Sequence, residues 1–119
     1  MKYDISALGN ALVDTQYMVD HEFLGAIGLE PDSMTLASAE EHAPIIKKLE
    51  EMEVESVSDC GGSATNSLVA ASNYGSSCHH VCRVANDEDG KKYLDSLQNA
   101  GVKHIGYSKE DSNLPTGKC

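Results

Sequence analysis

Two short stretches carry the residue types from which a small-molecule site could be built. The first is Asp59-Cys60-Gly61-Gly62-Ser63-Ala64-Thr65-Asn66-Ser67. A glycine pair between a strand and a helix lets a ligand approach the backbone, because no Cβ stands in the way. The first turn of the following helix offers N–H groups without intrahelical partners. Asn66 lies about one turn inside. Helical side chains lean toward the N-terminus, so its amide can reach the space over Gly61 and Gly62. Ser63 either hydrogen-bonds in that space or caps the helix. The second stretch is Gly9-Asn10-Ala11-Leu12-Val13-Asp14. Asn10 and Asp14 flank the end of a first strand, where ligands of open α/β sheets gather. A carboxylate and an amide can together pair with vicinal hydroxyls, as sugars require. Each stretch also has a plainer reading: a glycine-rich turn with capping polar residues, and an Asx turn followed by an exposed aspartate.

Other chemistries fit less well. No G-x-x-x-x-G-K-[ST] phosphate loop occurs, since Gly117-Lys118-Cys119 lacks both the upstream glycine and the hydroxyl residue. Gly9-Asn10-Ala11-Leu12 is not a dinucleotide fingerprint. Cys78-His79-His80-Val81-Cys82 reads as a strand with Cys78, His80 and Cys82 on one face, not as the paired spacing of a zinc site. No metal ligand is assigned. Without a secretory context the four cysteines are expected as free thiols.

The elements that must position these residues follow from local pattern. Strands are expected over Tyr3 to Leu8, Leu12 to Val19, Ser33 to Leu36, Glu55 to Cys60, His79 to Val84 and Val102 to Tyr107. Val13, Tyr17 and Val19 would face one way. A short helix is expected over Glu22 to Ile27. Ser38-Ala39-Glu40-Glu41 reads as a capping box opening a longer helix with Ile45, Ile46, Leu49 and Met52 as its apolar stripe. Pro44 predicts a kink there, or a start nearer to it. A helix from Ser63 to Tyr74 is ended by Gly75, and its small residues let it lie close to a sheet. Asp87 caps a helix carrying Tyr93, Leu94 and Leu97 and ended by Ala100-Gly101. Strand–helix alternation of this kind makes βαβ units and an α/β sheet.

Composition bounds the partners. The 119 residues hold 9 Lys and Arg against 19 Asp and Glu, a formal charge of −10. That balance argues against a nucleic-acid binder or a basic membrane-surface helix. No apolar run approaches a membrane span, and Met1-Lys2-Tyr3-Asp4-Ile5-Ser6 is no secretory signal. A cytoplasmic protein is expected, with no membrane contact. The length suits one domain. The core supply is thin, with 24 Leu, Ile, Val and Phe, no Trp and Phe23 alone. Leu114-Pro115-Thr116-Gly117-Lys118-Cys119 begins something extended and stops, so truncation is expected.

Taken in order, five motifs resemble the N-terminal third of the PfkB (ribokinase-like) carbohydrate kinases, in particular the adenosine-kinase-like branch. They are Gly9-Asn10-x-Leu12-x-Asp14, Gly61-Gly62-Ser63-Ala64-Thr65-Asn66-Ser67, Gly75, Val84-Ala85-Asn86-Asp87-Glu88-Asp89-Gly90 and Pro115-Thr116-Gly117-Lys118-Cys119. Ala85 replaces a usual glycine, and Leu68 a usually small or hydroxylated residue. The resemblance implies an α/β fold, the N-terminal part of a mainly parallel sheet, plus a small β-sheet lid. The lid strands would come from about 12–19, 34–36, 55–59 and 116–119. It implies an ATP-dependent, magnesium-assisted transfer of phosphate to a primary hydroxyl of a ribose-like substrate, adenosine or a related nucleoside or sugar. Asn10, Asp14, Gly61, Gly62, Ser63 and Asn66 would bind that substrate. The catalytic aspartate and the ATP site of such kinases belong downstream. This chain alone is therefore expected to be inactive and to bind neither ATP nor magnesium. The lid, with Tyr17 and Val19, is expected as a homodimer surface. The alternative is a non-catalytic α/β binding module or a degraded kinase homologue. A receiver domain fits poorly, because Asp14 is alone and Asp59 is followed by two glycines.

Overall fold

Short strands followed by capped helices set the architecture. In chain order the elements are Ile5–Leu8 (β1), Leu12–Tyr17 (β2), His21–Ala26 (α1), Ala39–Glu51 (α2) and Ser56–Gly61 (β3). Then come Ser63–Asn73 (α3), Cys78–Val84 (β4), Glu88–Asn99 (α4), Lys103–Tyr107 (β5) and Gly117–Lys118 (β6). The computed structural model describes residues 2–107 and 114–119. The chain divides into two compact units, one of residues 1–15 with 58–119 and one of residues 16–57.

The larger unit is a parallel α/β assembly. Its main sheet has the order β1-β4-β5, and both pairings are parallel. Parallel neighbours need a crossover, and α4 supplies it between β4 and β5. Each helix start is written locally. Asp87 caps α4 by accepting from the Gly90 N–H at 2.7 Å. Glu88 and Asp89 then sit in the first turn, where the helix dipole favours negative charge. The core gathers Leu68 of α3, Tyr93, Leu94 and Leu97 of α4, and Cys78, Val84 and Val102 around the sheet. Period two divides β4 as expected: Cys78 and His80 are buried on the helix side. Across the other side, Leu8, Val81 and Ile105 are in register and form an exposed apolar row.

The second sheet has the order β3-β2-β6, with Leu12 and Val13 paired in parallel to Gly117 and Lys118. Cys119 extends the ladder, donating to the Val13 carbonyl and accepting from the Thr15 N–H, both at 2.8 Å. The strand expected from Thr116 is therefore present. So is most of the 55–59 strand, as the body of β3. The 12–19 strand ends at Tyr17. The expected strand over Met34, Thr35 and Leu36 does not form: these residues have no regular structure, and Met34 and Leu36 are 85% and 89% exposed. Three residues with no ladder partner gain nothing from β geometry.

In the smaller unit, α2 opens on the expected capping box. Glu41 N–H donates to Ser38 Oγ, and Ser38 N–H donates to Glu41 Oε2 at 2.8 Å. The helix runs through Pro44 instead of starting at it. The reciprocal cap anchors the first turn, and the buried Leu49 anchors the last one. Lys48 lies 5.4 Å from the centre of the Phe23 ring.

One network in the larger unit carries a testable share of stability. Thr116, buried, donates its hydroxyl to Asp87 Oδ1 at 2.6 Å and its N–H to Asp87 Oδ2 at 2.9 Å. The Thr116 hydroxyl also accepts from the Ala85 N–H at 3.0 Å. Burial pushes the Asp87 carboxyl up. The bonds from Thr116 and Gly90, with the Lys118 charge, outweigh that and hold it below its ordinary value. Asp87→Ala is expected to lower stability by about 1–3 kcal/mol in urea unfolding at neutral pH. The sign in pH follows from a depressed carboxyl: the contribution is complete above the ordinary value of 3.8 and is lost as pH falls through the lower folded value. A mutant that unfolds at the parent's urea midpoint would show that Asp87 holds nothing.

Candidate functional site

Gly61 and Gly62 join β3 to α3, and the chain needs glycine at both for different reasons. A Cβ on Gly61 would run into the Asp14 carboxylate of β2. That carboxylate therefore lies directly over the bare Gly61 backbone. Gly62 has φ +99° and ψ 147°, a conformation that only glycine adopts without strain. A Cβ there would stand 2.7 Å from the Asn10 carbonyl oxygen.

Gly62 is the N-cap of α3, and no side chain caps the helix. Ser63 is the first helical residue and is exposed, so its reading as a cap is corrected. The cap position is occupied by a positive-φ residue that a serine could not replace cheaply. Asn66 closes the first turn, its N–H donating to the Gly62 carbonyl at 2.9 Å. Open first-turn N–H groups, a glycine backbone and one carboxylate thus share a small space.

The sequence-predicted residues sort as follows. Asp14 and Gly61 are in contact distance, and Gly62 abuts the Asn10 backbone. Asn66 is exposed on the first turn of α3. Among the described residues, the side chains of Asn10, Asp14 and Asn66 hydrogen-bond to no other protein group. They are polar groups available to a ligand. Asn66 also lines a cavity of about 650 Å³ together with Asp59, Cys60, Lys92 and Ser96.

The support beneath the glycines was less visible in the sequence. Ser96 of α4 donates to Asp59, and the Cys60 N–H lies 2.8 Å from Asp59 Oδ1. These bonds, Ser96 foremost, hold the Asp59 carboxyl below its usual value. Burial pushes the Cys60 and Cys82 thiols above their ordinary value. Ser96 carried no signal beyond its place on a helix. Thr65 stood inside the glycine motif, and its burial at 0% exposed marks it as part of the support.

No protein-family model matches the chain, and no curated protein matches it. Solved structures do. Adenosine kinase from Anopheles gambiae, in complex with P1,P4-di(adenosine-5) tetraphosphate, is 27% identical with a TM-score of 0.76, over 96% of this chain and 35% of that one. Adenosine kinase from Sinorhizobium meliloti is 26% identical with a TM-score of 0.74, over 99% of this chain and 35% of that one. A probable sugar kinase from Rhizobium etli CFN 42 is 24% identical with a TM-score of 0.71, over 98% of this chain and 34% of that one. The chain spans about a third of the length of each. Its mixed α/β architecture with a parallel sheet is that of part of a ribokinase-like fold, and across nearly its whole length the chain resembles the PfkB-type sugar and adenosine kinases.

Proposed function

We propose that this chain is the substrate-binding part of an ATP-dependent kinase that phosphorylates a primary hydroxyl of a ribose-like substrate, adenosine or a related nucleoside. The observation that carries the reading is the Asp14 carboxylate lying over Gly61, beside the uncapped α3 terminus, in a fold shared with adenosine kinases. Asp14 would accept from ribose hydroxyls. Asn66 can donate and accept at once, which suits a hydroxyl. Gly61 and Gly62 leave room for the sugar ring, and Asn10 and Ser63 border it.

In this reading these residues bind and orient the substrate, and none of them takes the proton from the attacking hydroxyl. The chain has no glycine-rich phosphate loop, and no group of three His, Cys, Asp or Glu among the described residues could hold a metal ion. In this reading ATP and magnesium are held by other parts of the kinase than this chain. Magnesium there would balance phosphate charge during transfer. The three-stranded sheet of β3, β2 and β6 would act as a lid that excludes water competing for the phosphate. No helix among the described residues is long and apolar enough to cross a membrane. The reading places the protein in the cytoplasm and makes the lid sheet a dimer surface.

A thermal-shift panel on the intact protein tests the substrate class. Adenosine and inosine are expected to raise the melting temperature more than ribose or fructose do. At a concentration of a hundred times Kd, a ligand that binds only the folded state stabilises by about 2.7 kcal/mol. Equal and negligible shifts for all four would overturn the reading and favour a module that binds no sugar.

A further inference from the structure

Three polar side chains lie fully buried directly under the glycine loop. Thr65 of α3, His80 of β4 and Tyr93 of α4 are each 0% exposed. The Thr65 hydroxyl is 3.1 Å from His80 Nε2 and 2.7 Å from the Tyr93 hydroxyl. On the far side of the ring, His80 Nδ1 is 3.3 Å from the Ala7 carbonyl. A carbonyl only accepts, so Nδ1 carries the hydrogen and donates to Ala7. In the neutral ring Nε2 is then an acceptor, and the Thr65 hydroxyl donates to it. The Tyr93 hydroxyl in turn donates to Thr65. Every polar hydrogen in the chain has an acceptor, and its direction is set from one end.

This chain ties four elements to one hydroxyl. Ala7 is the penultimate residue of β1, two positions before the Gly9-Asn10 loop. Thr65 is the residue before Asn66, and a Cβ on Gly62 would lie 3.6 Å from Thr65 Oγ1. A Cβ on Gly9 would meet the Ala64 side chain at 2.6 Å and lie 3.6 Å from His80 Cε1, so the loop rests on the same turn of α3. A buried polar network is costly when partly satisfied and rigid when fully satisfied. Here it is fully satisfied and sits between the two halves of the candidate site.

We propose that the His80–Thr65–Tyr93 chain is a positioning device, which fixes the first turn of α3 against the loop after β1 and so sets the geometry in which Gly62 and Asn66 meet a ribose. The inference rests on the proposed nucleoside site. Thr65, His80 and Tyr93 act through Gly62 and Asn66 and touch no substrate themselves.

The test is adenosine titration by calorimetry on the intact protein carrying this chain, with the ligand-free melting temperature measured beside it. Thr65→Val keeps the shape and removes the hydroxyl; it is expected to weaken adenosine binding about tenfold, the scale of a small misplacement of site groups. Thr65→Ser restores the hydroxyl but loses a buried methyl. It is expected to bind adenosine within about threefold of the parent while melting lower. Tyr93→Phe, which keeps the ring, is expected to weaken binding in the same direction and decides the matter if Thr65→Val does not fold. A merely structural role would make affinity follow melting temperature, with Thr65→Ser binding no better than Thr65→Val; that result overturns the proposal. So does parent-like binding by Thr65→Val or, if that variant does not fold, by Tyr93→Phe. Asn66→Ala, titrated in parallel, separates the two levels. A loss there with parent-like Thr65→Val sinks the positioning role alone, and a parent-like Asn66→Ala sinks the ribose site and the positioning role with it.

Discussion

Asp14→Ala, in the intact protein, is expected to raise the nucleoside KM by tenfold or more and to leave the KM for ATP close to the parent's. The Asp14 carboxylate lies over Gly61 with no protein partner among the described residues, so a ligand hydroxyl would be its partner. A hydrogen bond to a charged acceptor is worth roughly 1.5–3 kcal/mol when shielded from water. One such bond already corresponds to a factor of about ten, because ~1.4 kcal/mol is tenfold. Asp14 does not take the proton of the attacking hydroxyl in this reading, so the loss falls first on binding. Turnover then slows because the substrate is held less well. Asp14→Asn, which keeps the size and one acceptor oxygen, should fall between the two. Steady-state kinetics with both substrates varied decide it. An unchanged nucleoside KM with a weakened ATP KM would put the site elsewhere.

Gly62→Ala is expected to do two kinds of damage at once. At φ +99° an alanine is strained, at a cost of about 1–3 kcal/mol. Its Cβ would also stand 2.7 Å from the Asn10 carbonyl, which is backbone and cannot swing aside. The Gly9-Asn10 loop must then shift away from α3, and the opening for the sugar changes shape. The variant should unfold at lower urea and bind adenosine at least about tenfold more weakly. Urea unfolding and calorimetry read the two effects separately. Parent-like values in both would show that the positive φ and the close approach have no part in the site.

What could be read in the sequence was what the chain decides locally. The Ser38 capping box and the Asp87 cap both form, because their partners lie three residues away. Asn66 falls one turn from Gly62 by helical geometry alone. The face of β4 that buries Cys78 and His80 follows from period two.

What could not be read depends on distant partners. The helix begins at Ser63 as its pattern indicates, but that Gly62 and not Ser63 holds the cap position follows only from the dihedral angles of Gly62. Met34 to Leu36 alternates like a strand, but alternation does not supply a neighbour. Tyr93 reads as an apolar core residue; its hydroxyl finds Thr65 only because the fold brings α3 beside α4. The meeting of Asp14 with Gly61 depends on the β3-β2 pairing. The motif resemblance drew both strands into one small sheet without saying which are neighbours, and no local pattern could say it.

The central claim is that Asp14, Gly62 and Asn66 hold the ribose of a nucleoside. A crystal structure of the intact protein with adenosine bound tests it most directly. The account predicts ribose hydroxyls within about 2.5–3.0 Å of the Asp14 carboxylate, the sugar against the bare Gly62 backbone, and the Asn66 amide on the same hydroxyls. Adenosine bound away from the β3–α3 glycine loop, with Asp14 touching none of it, would contradict the account.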